Sequence, residues 1–314
     1  VQLTGKSAAL QARVADATRA LVGNDPATHF AVAVSGGPDS MALLWLAAGA
    51  FPGRVAAVTV DHGLRPESAD EAAMVARWCS AHGIDHVTLH PDVPVKGNVQ
   101  AWARATRYRL MEAWRTSCGM DWIMTAHHAD DQLETVVMRL HRGSGIGGLA
   151  GVRARSGRVI RPMLGERKAQ LQAFVDREKL PHVQDPSNRD ARFDRAALRL
   201  ALSDAPWLDA QAATRSAAAL AEAETAILWS VAQLAERHVH ADGIGWTLDR
   251  IDLPREYLRR LLLHMLMMAG AKTPRGDTLD HALQEAAAGR QASLGDWLLK
   301  GGGTWSLRPA PPRN

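Results

Sequence analysis

One junction constrains this chain more than any other feature. The apolar run HFAVAVS (29–35) passes through Ser35-Gly36-Gly37-Pro38-Asp39-Ser40 straight into a second apolar run, MALLWLAAGA (41–50). Alternating β-formers, a glycine turn and a long apolar stretch read as strand, turn and helix. The pattern then repeats. RVAAVTV ends a second strand at Asp61, a helix covers Ser68 to Ala81, and HVTLHPD supplies a third strand. A helix from about Val99 to Ser117 leads to the strand DWIMTA, and Leu133, Val136, Val137 and Leu140 recur at helical spacing in HHADDQLETVVMRLH. RVIRPML is the fifth expected strand, and an amphipathic helix near Ala8 to Leu21 precedes the first. Such alternation predicts an α/β fold with a doubly wound parallel sheet, its ligands lying at the carboxyl ends of the strands.

Beyond Pro206 the pattern changes to Ala- and Leu-rich helices at Ala210–His238, Pro254–Ala269 and about Thr278–Ala288, followed by the Gly- and Pro-rich tail GGGTWSLRPAPPRN. Two domains are therefore expected, a catalytic one over 1–205 and a smaller, mostly helical one over 206–314. Five glycines between Gly143 and Gly151 predict a mobile loop.

With 314 residues, 46% hydrophobic and 22% charged, the chain is neither a small stapled scaffold nor a disordered one. No apolar run approaches the ~20 residues of a membrane span, and VQLTGKSAAL does not read as a secretory signal, so a cytoplasmic protein without a membrane partner is expected. Cys79 and Cys118 form no CxxC pair and are expected to be small buried hydrophobes. The segment from Arg153 to Arg199 carries 12 basic and 6 acidic residues, a balance suited to a polyanion-facing surface.

The turn itself has a chemistry. Gly36 and Gly37 leave the main-chain amides open to an anion, Ser35 and Ser40 add hydroxyl donors, and the helix after Pro38 adds its positive end, so pyrophosphate oxygens can be cradled there. It is neither GxxxxGK[ST] nor GxGxxG. This hexapeptide resembles the pyrophosphatase-type loop of N-type ATP pyrophosphatases, the adenine nucleotide alpha hydrolase-like enzymes that adenylate a carbonyl oxygen. Further blocks follow in order: DHGLRPESADEA (61–72), ARATRYRLM (103–111), AHHADDQLET (126–135), RGSGIGGL (142–149), RPML (161–164) and DPSN (185–188). Together they are similar to the bacterial tRNA(Ile)-lysidine synthase family, over about residues 30 to 200. Leu133 and Ala196 depart from that family's usual pattern, and the resemblance leads to the expectation of a shorter form without the extra C-terminal domain of the longer members.

The resemblance implies a two-step ligation on the wobble cytidine of a tRNA(Ile) with a CAU anticodon. The cytidine C2 oxygen attacks the α-phosphate of ATP, pyrophosphate leaves, and the ε-amine of free L-lysine displaces AMP. Ser35 to Ser40 would bind ATP, with Asp39 the candidate ligand for Mg²⁺. A lysine amine has a pKa of ~10.4 and cannot attack while protonated. Asp131 and Glu134 share one helix face, and with Asp130 they are candidates to bind the ammonium and accept its proton, with His127 or His128 as alternative bases. Arg104, Arg107, Gln132, Arg142, Arg195 and Arg199 are the remaining candidates for lysine or tRNA contact. Three other readings stay open: a tRNA thiolase on the same loop, a metal phosphohydrolase using Asp61-His62 and the 127–131 cluster, and a non-catalytic nucleotide-binding module.

Overall fold

A computed structural model describes residues 5–183 and 194–311. The chain divides into two compact units, Val1–Ala221 and Glu222–Asn314. The division falls inside one long helix, α9 (Ala210–His238).

The first unit is the expected α/β fold. Strands β1 (Phe30–Ala33), β2 (Val55–Val60), β3 (Asp85–Leu89) and β4 (Trp122–Met124) alternate with helices α1 (Lys6–Val22), α2 (Pro38–Ala50), α3 (Ser68–Ala81) and α4 (Val99–Ser117). Helices α5 (Ala129–His141), α6 (Ile146–Leu149), α7 (Lys168–Arg177) and α8 (Asp194–Ser203) follow, with β5 (Arg155–Ser156) and β6 (Val159–Ile160) between α6 and α7. The sheet order is β3-β2-β1-β4-β6-β5. All neighbours are parallel except β5 and β6, which form an antiparallel edge hairpin. The expected fifth strand is thus cut to two residues. Pro162 has no N–H to donate to a ladder, and the chain turns instead, with Leu164 N bonding to Arg161 O.

Side-chain alternation along the strands feeds two cores. Phe30 and Val32 of β1 point into a cluster with α1, α2, α3 and α7, whereas Ala31 joins Val58, Ile123 and Met111 of α4 on the opposite face. Met41, Ala42, Leu43, Leu44, Leu46 and Ala47 of α2 are all buried, as a helix apolar on every side requires. β1 lies at the point where the strand order reverses: β2 and β3 are on one side and β4 on the other. That reversal opens a crevice at the carboxyl ends of β1 and β4.

The second unit keeps the expected helices, the rest of α9 with α10 (Arg255–Met268) and α11 (Gly276–Ala287), but also contains an antiparallel sheet. Its strands are β7 (Val239–Asp242), β8 (Gly245–Leu248), β9 (Gln291–Leu294), β10 (Trp297–Lys300) and β11 (Trp305–Pro309), ordered β7-β8-β11-β10-β9. The apparent tail supplies β11, the middle strand, because Trp305 and Leu307 alternate into the core with Leu248 and Leu299. Among the described residues no helix is long and apolar enough to cross a membrane. Cys79 is buried as expected, which pushes its thiol pKa up to about 11, but Cys118 is exposed: it caps the last turn of α4.

Candidate active site

The glycine turn is closed by its own serines. Ser35 N donates to Ser40 Oγ (3.1 Å), and Ser40 Oγ donates to Gly37 O (2.9 Å). Gly36 has φ 81°, and a Cβ there would lie 3.3 Å from Val183 Cγ2, while its carbonyl accepts from Val183 N at 2.9 Å. Only glycine fits that position. Gly37 caps α2 without a side-chain bond and Pro38 opens it, so Asp39 stands inside the first turn and is not the cap. First-turn amides have no intrahelical partner, and here they gather at the exit of the central strand.

One strand over, the chain leaving β4 enters α5 through His128, which is 3% exposed. His128 Nδ1 accepts from Asp131 N (3.3 Å), and His128 N donates to Asp131 Oδ2 (3.2 Å), a reciprocal cap. The ring proton therefore belongs on Nε2, which lies 3.6 Å from Asp39 Oδ2 and 3.5 Å from Asp131 Oδ2. Burial opposes an imidazolium, but Asp39, Asp131 and Asp130 outweigh it, and the net shift of the His128 pKa is upward. His128 thus bridges the phosphate turn and the acidic helix.

The carboxylates of that helix are committed to distant cations. Glu134 accepts from Arg199 Nε of α8 at 2.5 Å, and Arg199 Nη2 lies 3.6 Å from Asp131 Oδ1. Burial lowers the Arg199 pKa, yet the hydrogen bond and charge of Glu134, with Asp131 and Asp39, raise it overall. Asp130 accepts from Lys168 N (2.7 Å) and from Arg167 Nη2 (3.2 Å), so it ties α5 to the start of α7. Gln132, 2% exposed, binds both main-chain groups of Val152: Oε1 accepts from Val152 N (2.7 Å) and Nε2 donates to Val152 O (3.1 Å). Gly151 (φ 61°) makes room for it, since a Cβ there would sit 2.5 Å from Gln132 Oε1. The glycine-rich segment is accordingly pinned to α5 and forms one short helix, α6, rather than an open loop.

His127 stands apart from the bridge, its Nδ1 3.0 Å from Thr125 Oγ1. Arg104 and Arg107 are exposed on α4, the former 5.1 Å over the Tyr108 ring. Arg107 lies near enough to His62 that, after burial, its charge lowers the His62 pKa. Arg142 is exposed at the end of α5. Arg195 belongs to α8, but its side chain, like Arg192 and the DPSN block, is outside the described residues. The described residues of the basic stretch do not form one surface. Arg155 and Arg158 both lie over Trp122, Arg167 and Arg199 face carboxylates, and Arg161 is 7% exposed. The sequence offers His127 and His128 alike as alternative bases and gives no sign of Arg167. The HxxD spacing ahead of an apolar helical pattern is a capping signal that marks His128, whereas Arg167 carries no local mark.

Mg²⁺ commonly takes one or two carboxylates and completes its shell with substrate phosphates and water. Asp39, partly exposed beside the turn, fits that share. Among the described residues no group of three His, Cys, Asp or Glu side chains gathers to hold a metal by itself.

A main-chain cradle between a central parallel strand and a buried helix, at the reversal of a doubly wound sheet, defines the PP-loop class of ATP-using domains. The family model of the PP-loop domain matches residues 10–205. The chain belongs to the tRNA(Ile)-lysidine synthase family. It is 38% identical over 309 residues to tRNA(Ile)-lysidine synthase of Zymomonas mobilis, covering 95% of this chain and 93% of that one. It is 42% identical over 298 residues to the protein of that name from Novosphingobium aromaticivorans, covering 91% and 90%. Among solved structures, the U34-tRNA thiolase NcsA from Methanococcus maripaludis, with its [4Fe-4S] cluster, aligns with a TM-score of 0.55 and 16% identity. That alignment covers 69% of this chain and 80% of the thiolase, a likeness of fold alone.

Proposed function

We propose that the chain is an ATP-dependent carbon–nitrogen ligase, a tRNA(Ile)-lysidine synthase, acting at the crevice between β1 and β4. Its substrates in this reading are ATP, free L-lysine and tRNA(Ile) with a CAU anticodon. The observation that carries it is the juxtaposition of phosphate turn and acidic helix through His128, 3.6 Å from Asp39 and 3.5 Å from Asp131. A cradle for a leaving pyrophosphate and a carboxylate site for an attacking amine are what an adenylation followed by amine capture requires.

In the first step the C2 oxygen of the wobble cytidine attacks the α-phosphate. The amides of Gly36 and Gly37 and the hydroxyls of Ser35 and Ser40 stabilise the departing pyrophosphate. Mg²⁺, held by Asp39, would share the phosphate charge when bound. In the second step the ε-amine of lysine attacks C2 and AMP leaves with the former carbonyl oxygen, now a phosphate ester. Asp131 receives the ammonium proton. Glu134 holds the other side of the ammonium, and Arg199 pairs with both carboxylates until lysine arrives. His128 orients Asp131 through their reciprocal cap. Gln132 and Asp130 act as positioning residues, because their side chains are occupied by Val152 and by Arg167 with Lys168. Arg104, Arg107, Arg142 and Arg195 remain candidates for the lysine carboxylate and the tRNA backbone. The catalytic role belongs to the first domain and tRNA contact to the second as well. The curated relatives do not favour the thiolase or phosphohydrolase readings.

The test is mass spectrometry of the wobble nucleoside after incubation with ATP, lysine and tRNA(Ile). A lysyl mass gain that requires ATP supports this function; an unmodified cytidine refutes it.

A further inference from the structure

Arg153 and Arg161 are two cations that face no carboxylate among the described residues. Arg161 is 7% exposed, at the carboxyl end of β6. Its Nη1 donates to Arg153 O (2.7 Å), and Arg153 Nη2 donates to Gly147 O (3.3 Å). Arg161 Nε and Arg153 Nη1 are shielded from solvent and find no acceptor among the described residues. The carboxylates of the neighbouring elements are engaged elsewhere: Glu134 with Arg199, Asp130 with Arg167, Glu166 with Arg13.

A guanidinium does not discharge by losing its proton, so a buried one without a counter-charge is costly. Neutral carbonyls satisfy only part of its donor set, and an oxyanion forms shorter and stronger bonds to it. We propose that Arg153 and Arg161 form a second oxyanion site, taking a phosphate group either of the substrate RNA or of pyrophosphate. Gly147 O is the acceptor that a phosphate oxygen would replace at Arg153. The segment that carries Gly147 is held to α5, so the exchange is made by Arg153, whose half-buried side chain turns from the carbonyl to the phosphate. The site lies two strands from the glycine turn, beyond β4, and is separate from it. The RNA arm rests on the function proposed above, whereas the pyrophosphate arm does not.

Two measurements on the full chain test this. Calorimetric titration with inorganic pyrophosphate counts anion sites, and tRNA(Ile) binding over a KCl series gives the log–log salt slope. For pyrophosphate as the ligand, Arg153→Gln lowers the stoichiometry from two to one. For an RNA phosphate, the same variant makes the salt slope shallower by about 1. Arg161→Lys keeps a charge but loses the fork, and it weakens the same arm by a smaller factor. Either change supports the site and names its ligand. If Arg153→Gln melts cooperatively and leaves both stoichiometry and slope at wild-type values, the proposal is overturned. Absence of lysidine from the wild-type reaction would instead refute the functional reading, whatever the slopes.

Discussion

The stretches Ser35–Ser40 and His128–Glu134 stand one strand apart and are built in opposite ways. The first uses main chain and its own hydroxyls, with bonds spanning at most five residues apart from Val183 to Gly36. The second uses side chains, and their partners come from Asp39, Val152, Arg167, Lys168 and Arg199. A main-chain site tolerates changes in its neighbours but not an added atom. A side-chain site tolerates local reshaping but fails when one distant charge is removed.

The sharpest way to break this contrast is Gly36→Ala. The left-handed backbone and the contact with Val183 should misplace the cradle amides and lower ATP-dependent pyrophosphate release by about 100-fold or more. Near-normal release would show that the turn does not depend on its bare backbone. Next comes the ion pair. Glu134→Ala and Arg199→Ala should each cost about 2 to 3 kcal/mol in denaturant unfolding, because one removes the closest counter-charge of the partly buried Arg199 and the other takes the guanidinium from Glu134, which is 3% exposed. The double variant should cost less than the sum of the two; strict additivity would mean that the pair is not coupled.

A smaller effect is expected at Asp130. Burial would raise its carboxyl pKa, but Lys168 N–H and Arg167 overcome this and hold it below the ordinary 3.8. A lowered carboxyl pKa stabilises the fold above the unfolded value, and that stability is lost as pH falls through the folded value. Asp130→Asn should therefore cost about 1 kcal/mol near neutrality, with the wild-type and variant curves converging in acid. A gap that persists at pH 2 would rule out the ionised carboxylate as its source. Least in stability should be His128→Asn, which keeps an N-cap acceptor and costs about 0.5 kcal/mol or less. It loses the reach to Asp39, so turnover should fall more than stability; equal losses would reduce His128 to a cap.

Local pattern carried much of the fold. The expected helices at Ser68–Ala81, Val99–Ser117 and Ala210–His238 stand at those limits. The edge hairpin escaped, because Pro162, two residues past Ile160 in RVIRPML, ends pairing that the apolar run suggests. The second sheet escaped because its strands are short and rich in glycine at their ends. The two-residue turns between Asp242 and Gly245 and between Leu294 and Trp297 were its visible signals.

The sequence by itself determined the α/β order, the glycine cradle and the acidic first turn of α5, since each rests on periodicity or on backbone freedom within a few residues. Tertiary structure alone decided which cation meets which carboxylate. Arg167 reaches Asp130 across 37 residues and Arg199 reaches Glu134 across 65. Coulomb attraction acts through space, and no spacing along the chain encodes it.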